Sequence, residues 1–145
     1  MSFNPFPANL IMSIIFLEHT ADVLFRAEGK DFQDALEEAA KALSVTISEK
    51  VNKKEEFEIQ ESAANLEELV VAVLSNLLSE SEVREMMPGG LKITSFKEGE
   101  DKVQIKAKAW AGEGTQKTIV KGVTYGMLKV ERKKDKCVIQ VLLDI

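Results

Sequence analysis

The chain has 145 residues, 45% of them apolar and 30% charged, with 24 acidic against 19 basic side chains and a net charge of −5. This length suits one domain with a real core, and the acidic balance argues against sequence-independent wrapping of nucleic acid, which relies on excess Lys and Arg. The lone Cys137 rules out an internal disulfide and fits a reducing compartment, and no apolar run is long enough to span a membrane.

The first ten residues, with Asn4, Pro5, Pro7 and Asn9, lack the regions of a secretory signal. They predict a loose extension over 1–10, ahead of a single domain over 11–145 in the cytoplasm. Ile11 to Leu17 is β-branched and apolar and reads as a buried strand. A turn at His19-Thr20-Ala21-Asp22 leads to a second strand, in which Val23, Phe25 and Ala27 alternate with Leu24, Arg26 and Glu28. Gly29 ends it. Asp31 can cap a helix, with Asp34 placed to reach back. Phe32, Ala35, Leu36, Ala39, Ala40 and Leu43 then recur at helical spacing, and the pattern fades near Val45-Thr46-Ile47.

Glu56 to Glu61 alternates charge with Phe57 and Ile59, as a half-buried strand does. Asn65 with Glu68 is a second capping pair, and Leu66, Leu69, Val70, Val73, Leu74, Leu77 and Leu78 form the apolar face of a second helix. Pro88-Gly89-Gly90 reads as the clearest breaker in the chain. Beyond it come four strands, near Leu91–Phe96, Lys102–Trp110, Val123–Val130 and Cys137–Leu143, with hairpin turns around Gly99-Glu100-Asp101 and Lys133–Lys136. The expected architecture is α+β: a mixed, largely antiparallel sheet with two main helices packed on it.

Four places could carry chemistry. Asp144-Ile145 closes the sequence after an apolar strand, setting a side-chain carboxylate beside a main-chain one. Such anions repel unless something positive lies between them. A carboxylate from Asp22 would complete an all-oxygen cluster suited to a hard divalent cation, provided the first and last strands are neighbours. His19 has no second His and no nearby Cys, so zinc or a Cys–His dyad is disfavoured, and tying the turn before Asp22 is the plainer role. There is no phosphate-binding glycine loop and no nucleophile elbow. Lys102, Gln104, Lys106, Lys108 and Trp110 share one face of a strand. That face is either the wet side of the sheet or a surface on which RNA is neutralised and stacked. Lys121, beside Gly122, could approach a phosphate or carboxylate closely.

Taken in order, Phe16-Leu17-Glu18-His19-Thr20-Ala21-Asp22-Val23, the Leu66-Glu67-Glu68-Leu69 helix, Trp110 with Gly112-Glu113, Val120-Lys121-Gly122-Val123-Thr124-Tyr125 and the closing Asp144-Ile145 resemble the archease family. The resemblance runs from about Ile11 to the last residue. It implies a chaperone-like accessory protein of tRNA splicing, not itself an enzyme. Its partner would be the GTP-dependent RNA-splicing ligase, whose guanylylation and multiple turnover it promotes, with RNA met mainly through that ligase. It also implies a divalent cation, calcium ahead of magnesium or manganese, held by Asp22, Asp144 and the main chain of Ile145. His19 and Lys121 are the further candidates for ligase activation. The chain departs from the family pattern at Leu24, where Gly is common, and at Gly126, where His is frequent. The connection from 113 to 120 also looks shorter than usual.

Overall fold

The computed structural model describes residues 13–17 and 22–145. The extension over 1–10 and the turn carrying His19 lie outside the described residues. Seven strands and two helices follow in the order β1 (Ile14–Leu17), β2 (Asp22–Gly29), α1 (Phe32–Ile47), β3 (Ser48–Ala63), α2 (Leu66–Val83), β4 (Met87–Glu98), β5 (Val103–Gln116), β6 (Gly122–Arg132) and β7 (Cys137–Asp144). The α+β class stands, but the strands divide between two sheets. One has the order β1-β2-β7-β6 and the other β3-β5-β4, and every pairing is antiparallel.

Both helices start where the caps predict. The Asp31 side chain accepts from the Asp34 N–H at 2.8 Å, and Asp34 reaches back to accept from the Lys30 N–H at 3.1 Å. Asn65 accepts from the Glu68 N–H at 2.9 Å, which Glu68 answers by accepting from Ala64. Each pair satisfies donors that the first helical turn leaves without partners. α1 runs on through Val45, Thr46 and Ile47 because Thr46 and Ile47 are buried, the Thr46 hydroxyl being satisfied by donating to the Ala42 carbonyl. Packing outweighs the weak helix propensity of the β-branched residues.

The helices touch both sheets and bind them into one core. Phe25, Ile139 and Leu143 of the first sheet, Ile59 and Ile105 of the second, and Phe32, Leu36, Leu43, Leu69, Leu74 and Leu77 of the helices are fully buried there. Each such side chain contributes roughly 1.5–3 kcal/mol by leaving water. Among the described residues no helix is long and apolar enough to cross a membrane.

Three strand limits differ clearly from the sequence expectation, β5 running on to Gln116 where Trp110 was the expected end. β3 extends well beyond Glu56–Glu61, because β5 supplies hydrogen-bonding partners along its whole length, with bulges between Glu49 and Asn52 and between Lys53 and Glu55. Pro88-Gly89-Gly90 lies inside β4 rather than before it. Pro88 sits at a register shift, where its missing N–H is tolerated. The two glycines are needed because the Trp110 indole rests on them: a Cβ on Gly90 would come within 2.8 Å of the ring. The predicted hairpin turns are present, closed by Gly99 N–H to Lys102 O and Lys133 N–H to Lys136 O.

Candidate functional site

β2 and β7 are neighbours, and their register sets Asp22 directly opposite Asp144. On the other side of β7, Gly122 of β6 also stands opposite Asp144, and the Lys121 N–H donates to the Asp144 carbonyl at 2.7 Å. One end of the sheet therefore carries the row Asp22–Asp144–Gly122 across three strands. Directly opposed cross-strand side chains have Cβ atoms about 4.5–5.5 Å apart, and like charges in that position repel. A Cβ built on Gly122 would meet nothing within 4 Å, so the space beside Asp144 is open. Asp144 is exposed and Asp22 half-buried, while Ile145 packs partly against the core.

This donor set fits a hard cation in chemistry: two carboxylates and nearby main-chain oxygens. It is thinner than a full acidic cluster, because among the described residues no group of three or more His, Cys, Asp or Glu could hold a metal. Lys121 is tied to the site by its backbone, and its side chain is exposed. His19 falls outside the described residues. In the connection ahead of Lys121, burial lowers the pKa of Lys117, and the Glu49 carboxylate partly opposes this.

Beside the acidic row lies a feature that sequence reasoning missed. β6 pairs with β7 at Thr124–Leu142 and resumes at Lys129–Gln140, so residues 125–128 bow out against the single residue Val141. The Met127 backbone takes φ 58°, and the Tyr125 and Met127 side chains are 62% and 52% exposed, with Ile119 also exposed nearby in sequence. Gln140 holds the bow in place. The residue is 3% exposed; Nε2 donates to the Met127 carbonyl at 2.8 Å and Oε1 accepts from Arg26 at 3.0 Å. A Gln within the apolar run Cys137–Leu143 was the available signal, since buried amides are nearly always engaged.

The Lys102–Trp110 face is only partly as expected. Val103, Ile105, Ala107 and Ala109 are buried, and Lys106 and Lys108 face solvent. Trp110, however, is half-buried, seated on Gly89 and Gly90 with the Lys53 ammonium 5.4 Å from its ring centroid.

Comparison with known proteins identifies the family and the fold. Residues 15–145 match the model of the Archease protein family. The chain is 36% identical to protein archease of Methanosarcina mazei over 138 residues, covering 90% of this chain and 94% of that one. It is 28% identical to an archease-like protein of Dictyostelium discoideum, covering 90% and 91% of the two chains. The fold superposes on the solution structure of protein 1598 of Methanobacterium thermoautotrophicum with a TM-score of 0.78 at 23% identity, covering 92% and 99%. It also superposes, at 0.56 and 23% identity, on the crystal structure of a Thermotoga maritima archease described as a possible chaperone, covering 89% and 94%. The chain belongs to the archease family.

Proposed function

We propose that this chain is a non-catalytic accessory protein of tRNA splicing that stimulates guanylylation and turnover of a GTP-dependent RNA ligase. In this reading Asp22, Asp144 and the main chain of Ile145 bind a divalent cation, calcium by preference, at the surface that meets the ligase. The observation that supports it most is the register match of Asp22 with Asp144. Opposed carboxylates are unfavourable on a sheet unless a cation or a basic partner answers them. Membership of the archease family supports the ligase as that partner.

Each residue then has a separable task. Asp22 and Asp144 supply the negative charge, and the Lys121 N–H holds the Asp144 carbonyl so that the end of β7 keeps its place. The open ground at Gly122 leaves room for a partner group to approach. The cation, when bound, would neutralise the pair and polarise phosphate oxygens of a nucleotide brought close to it. The exposed Tyr125 and Met127 flank this row and supply apolar contact area.

The test is multiple-turnover RNA ligation by the cognate ligase, with and without wild-type protein or Asp144→Ala, alongside a pull-down of the ligase. Stimulation by wild type, lost in Asp144→Ala while ligase binding persists, is the expected result. If folded wild type gives no stimulation, the reading fails. If stimulation survives in Asp144→Ala, the acidic pair is not its centre.

A further inference from the structure

The face of the four-stranded sheet that carries the acidic row carries more than those carboxylates. Side chains two residues apart along a strand share a face, so the pairs Asp22–Asp144, Leu24–Leu142 and Arg26–Gln140 stand on it in successive rows. Four residues of β7 separate the first row from the third, about 13 Å at the rise of a strand. On the β6 side, Thr124 stands opposite Leu142 and Lys129 opposite Gln140, with the bow over 125–128 between them. Gly126 lies against the Leu142 side chain and the Met127 carbonyl accepts from the Gln140 amide, so the bow folds over this same face.

The bow is held against a local cost. Met127 takes φ 58°, a left-handed backbone that strains any residue with a Cβ. Among the described residues two other non-glycines have positive φ, Lys50 and Glu85, and both serve the fold. Glu85 closes α2, where the Met86 N–H donates to the Ser81 carbonyl at 2.9 Å, and Lys50 lies at the β3 bulge between Glu49 and Asn52. Met127 does neither. The neighbouring Gly126 is not left-handed, and a Cβ there would make ordinary contact with Leu142 at 3.4 Å. The bow thus has a glycine where neither backbone nor space demands one, and a large side chain where the backbone is strained. Only Leu128 of the bow packs against the core, while Tyr125 and Met127 are exposed. Gln140 nevertheless commits a buried amide to this segment, and Arg26 of β2 braces that amide from the far side. Strain maintained by a buried brace, with exposed side chains as its result, is the pattern of a functional contact.

We infer that Gln140 is a positioning residue: through the Met127 carbonyl it holds Tyr125 and Met127 in the shape that enters an apolar pocket of the protein partner. This role rests on the ligase reading above. The bow adjoins two opposed carboxylates, so the partner that fits is a protein whose apolar pocket lies beside a basic or cation-bearing surface. Tyr suits such a pocket because it buries a large, rigid area, and Met because it adapts its shape. Fixing the bow before contact removes an ordering cost from binding. Gln140 itself is buried and acts through the bow alone.

The test is the affinity of full-chain variants for the cognate ligase by biolayer interferometry, read beside the ligation rate at saturating protein. Tyr125→Ala/Met127→Ala should raise Kd about tenfold or more, with stimulation recovered at saturation. Gln140→Leu should raise Kd about fivefold by freeing the bow. The three changes together should bind within about twofold of Tyr125→Ala/Met127→Ala, because Gln140 has no route to the partner except the bow. Arg26→Met, which takes away the brace and leaves the amide, should raise Kd about threefold, and it carries the test if Gln140→Leu does not fold. Ile15→Ala, at an equally exposed position on the opposite edge strand, should stay near wild type. Thermal melts establish which variants are folded. Three results overturn the role of Gln140 and the bow while leaving the ligase reading intact: an unchanged Kd in Tyr125→Ala/Met127→Ala, a Gln140→Leu loss that adds in full to theirs, or an equal loss in Ile15→Ala. If folded wild type does not bind the ligase, both fall.

Discussion

Replacing Asp144 by Asn removes one of two carboxylates that the β2–β7 register holds opposite each other, and leaves its backbone bond to Lys121 untouched. A like-charged pair in that position costs roughly 0.2–1 kcal/mol, so the variant should be more stable by that amount in the presence of a chelator. For a domain of this size the gain is about 1–4 °C in Tm. Calcium should reverse the order. At about a hundred times its Kd a bound cation stabilises wild type by about 2.7 kcal/mol, or about 11 °C on the same scale. The variant has lost a ligand; with affinity lowered about a hundredfold it should gain only about 1–2 °C. Differential scanning fluorimetry of both proteins, in chelator and across a calcium series, reads all four values. An equal calcium shift in the two proteins would refute the assignment of the site. A lower Tm of Asp144→Asn in chelator would refute the repulsion argument, because the charge would then be stabilising the fold.

Gly112→Ala should destabilise by about 3 kcal/mol or more, because its new Cβ would fall on the Asn52 backbone of β3; Gly122→Ala, with open space around it, should stay within about 0.5 kcal/mol of wild type. Urea melts of the two variants check the contrast, and equal effects would contradict the packing at the β3 bulge. Gln140→Leu should cost about 1–3 kcal/mol and speed amide exchange across residues 125–128, since it removes the bonds to Met127 and Arg26; unchanged exchange there would show that the bow does not depend on Gln140. Cys137 is 1% exposed, and its thiol pKa is raised above the ordinary 9.0 by burial and to a lesser degree by Asp31, with Arg132 opposing. The unfolded chain therefore loses the thiol proton first, so this contribution is intact below pH 9 and is lost as pH rises from there toward the folded value. Stability should fall by up to about 1.4 kcal/mol per pH unit in that window, a slope that Cys137→Ala lacks; identical pH profiles for the two proteins would sink the argument.

Local physics made much of this molecule legible in its residues. Asp31 with Asp34 and Asn65 with Glu68 announce both helix starts, because a side chain that satisfies the orphan N–H groups of a first turn must sit beside them in sequence. The alternation of Val103, Ile105, Ala107 and Ala109 marks the buried side of β5, because a strand turns every second residue to the same face. Asp22 and Asp144 could be chosen as candidates from their places beside the first and last apolar strands and from the family resemblance. What required the tertiary structure was every relation between distant segments. Only strand pairing decides that Asp22 and Asp144 are opposite one another, since no periodicity records which strand lies next to which. Pro88-Gly89-Gly90 carries the local signature of a break, yet Trp110 from the neighbouring strand makes it part of β4. The bow at 125–128 and the Gln140 amide that holds it likewise belong to two strands at once. A chain's own spacing encodes its turns, caps and faces, while contacts across a sheet depend on partners brought together only when the whole core closes.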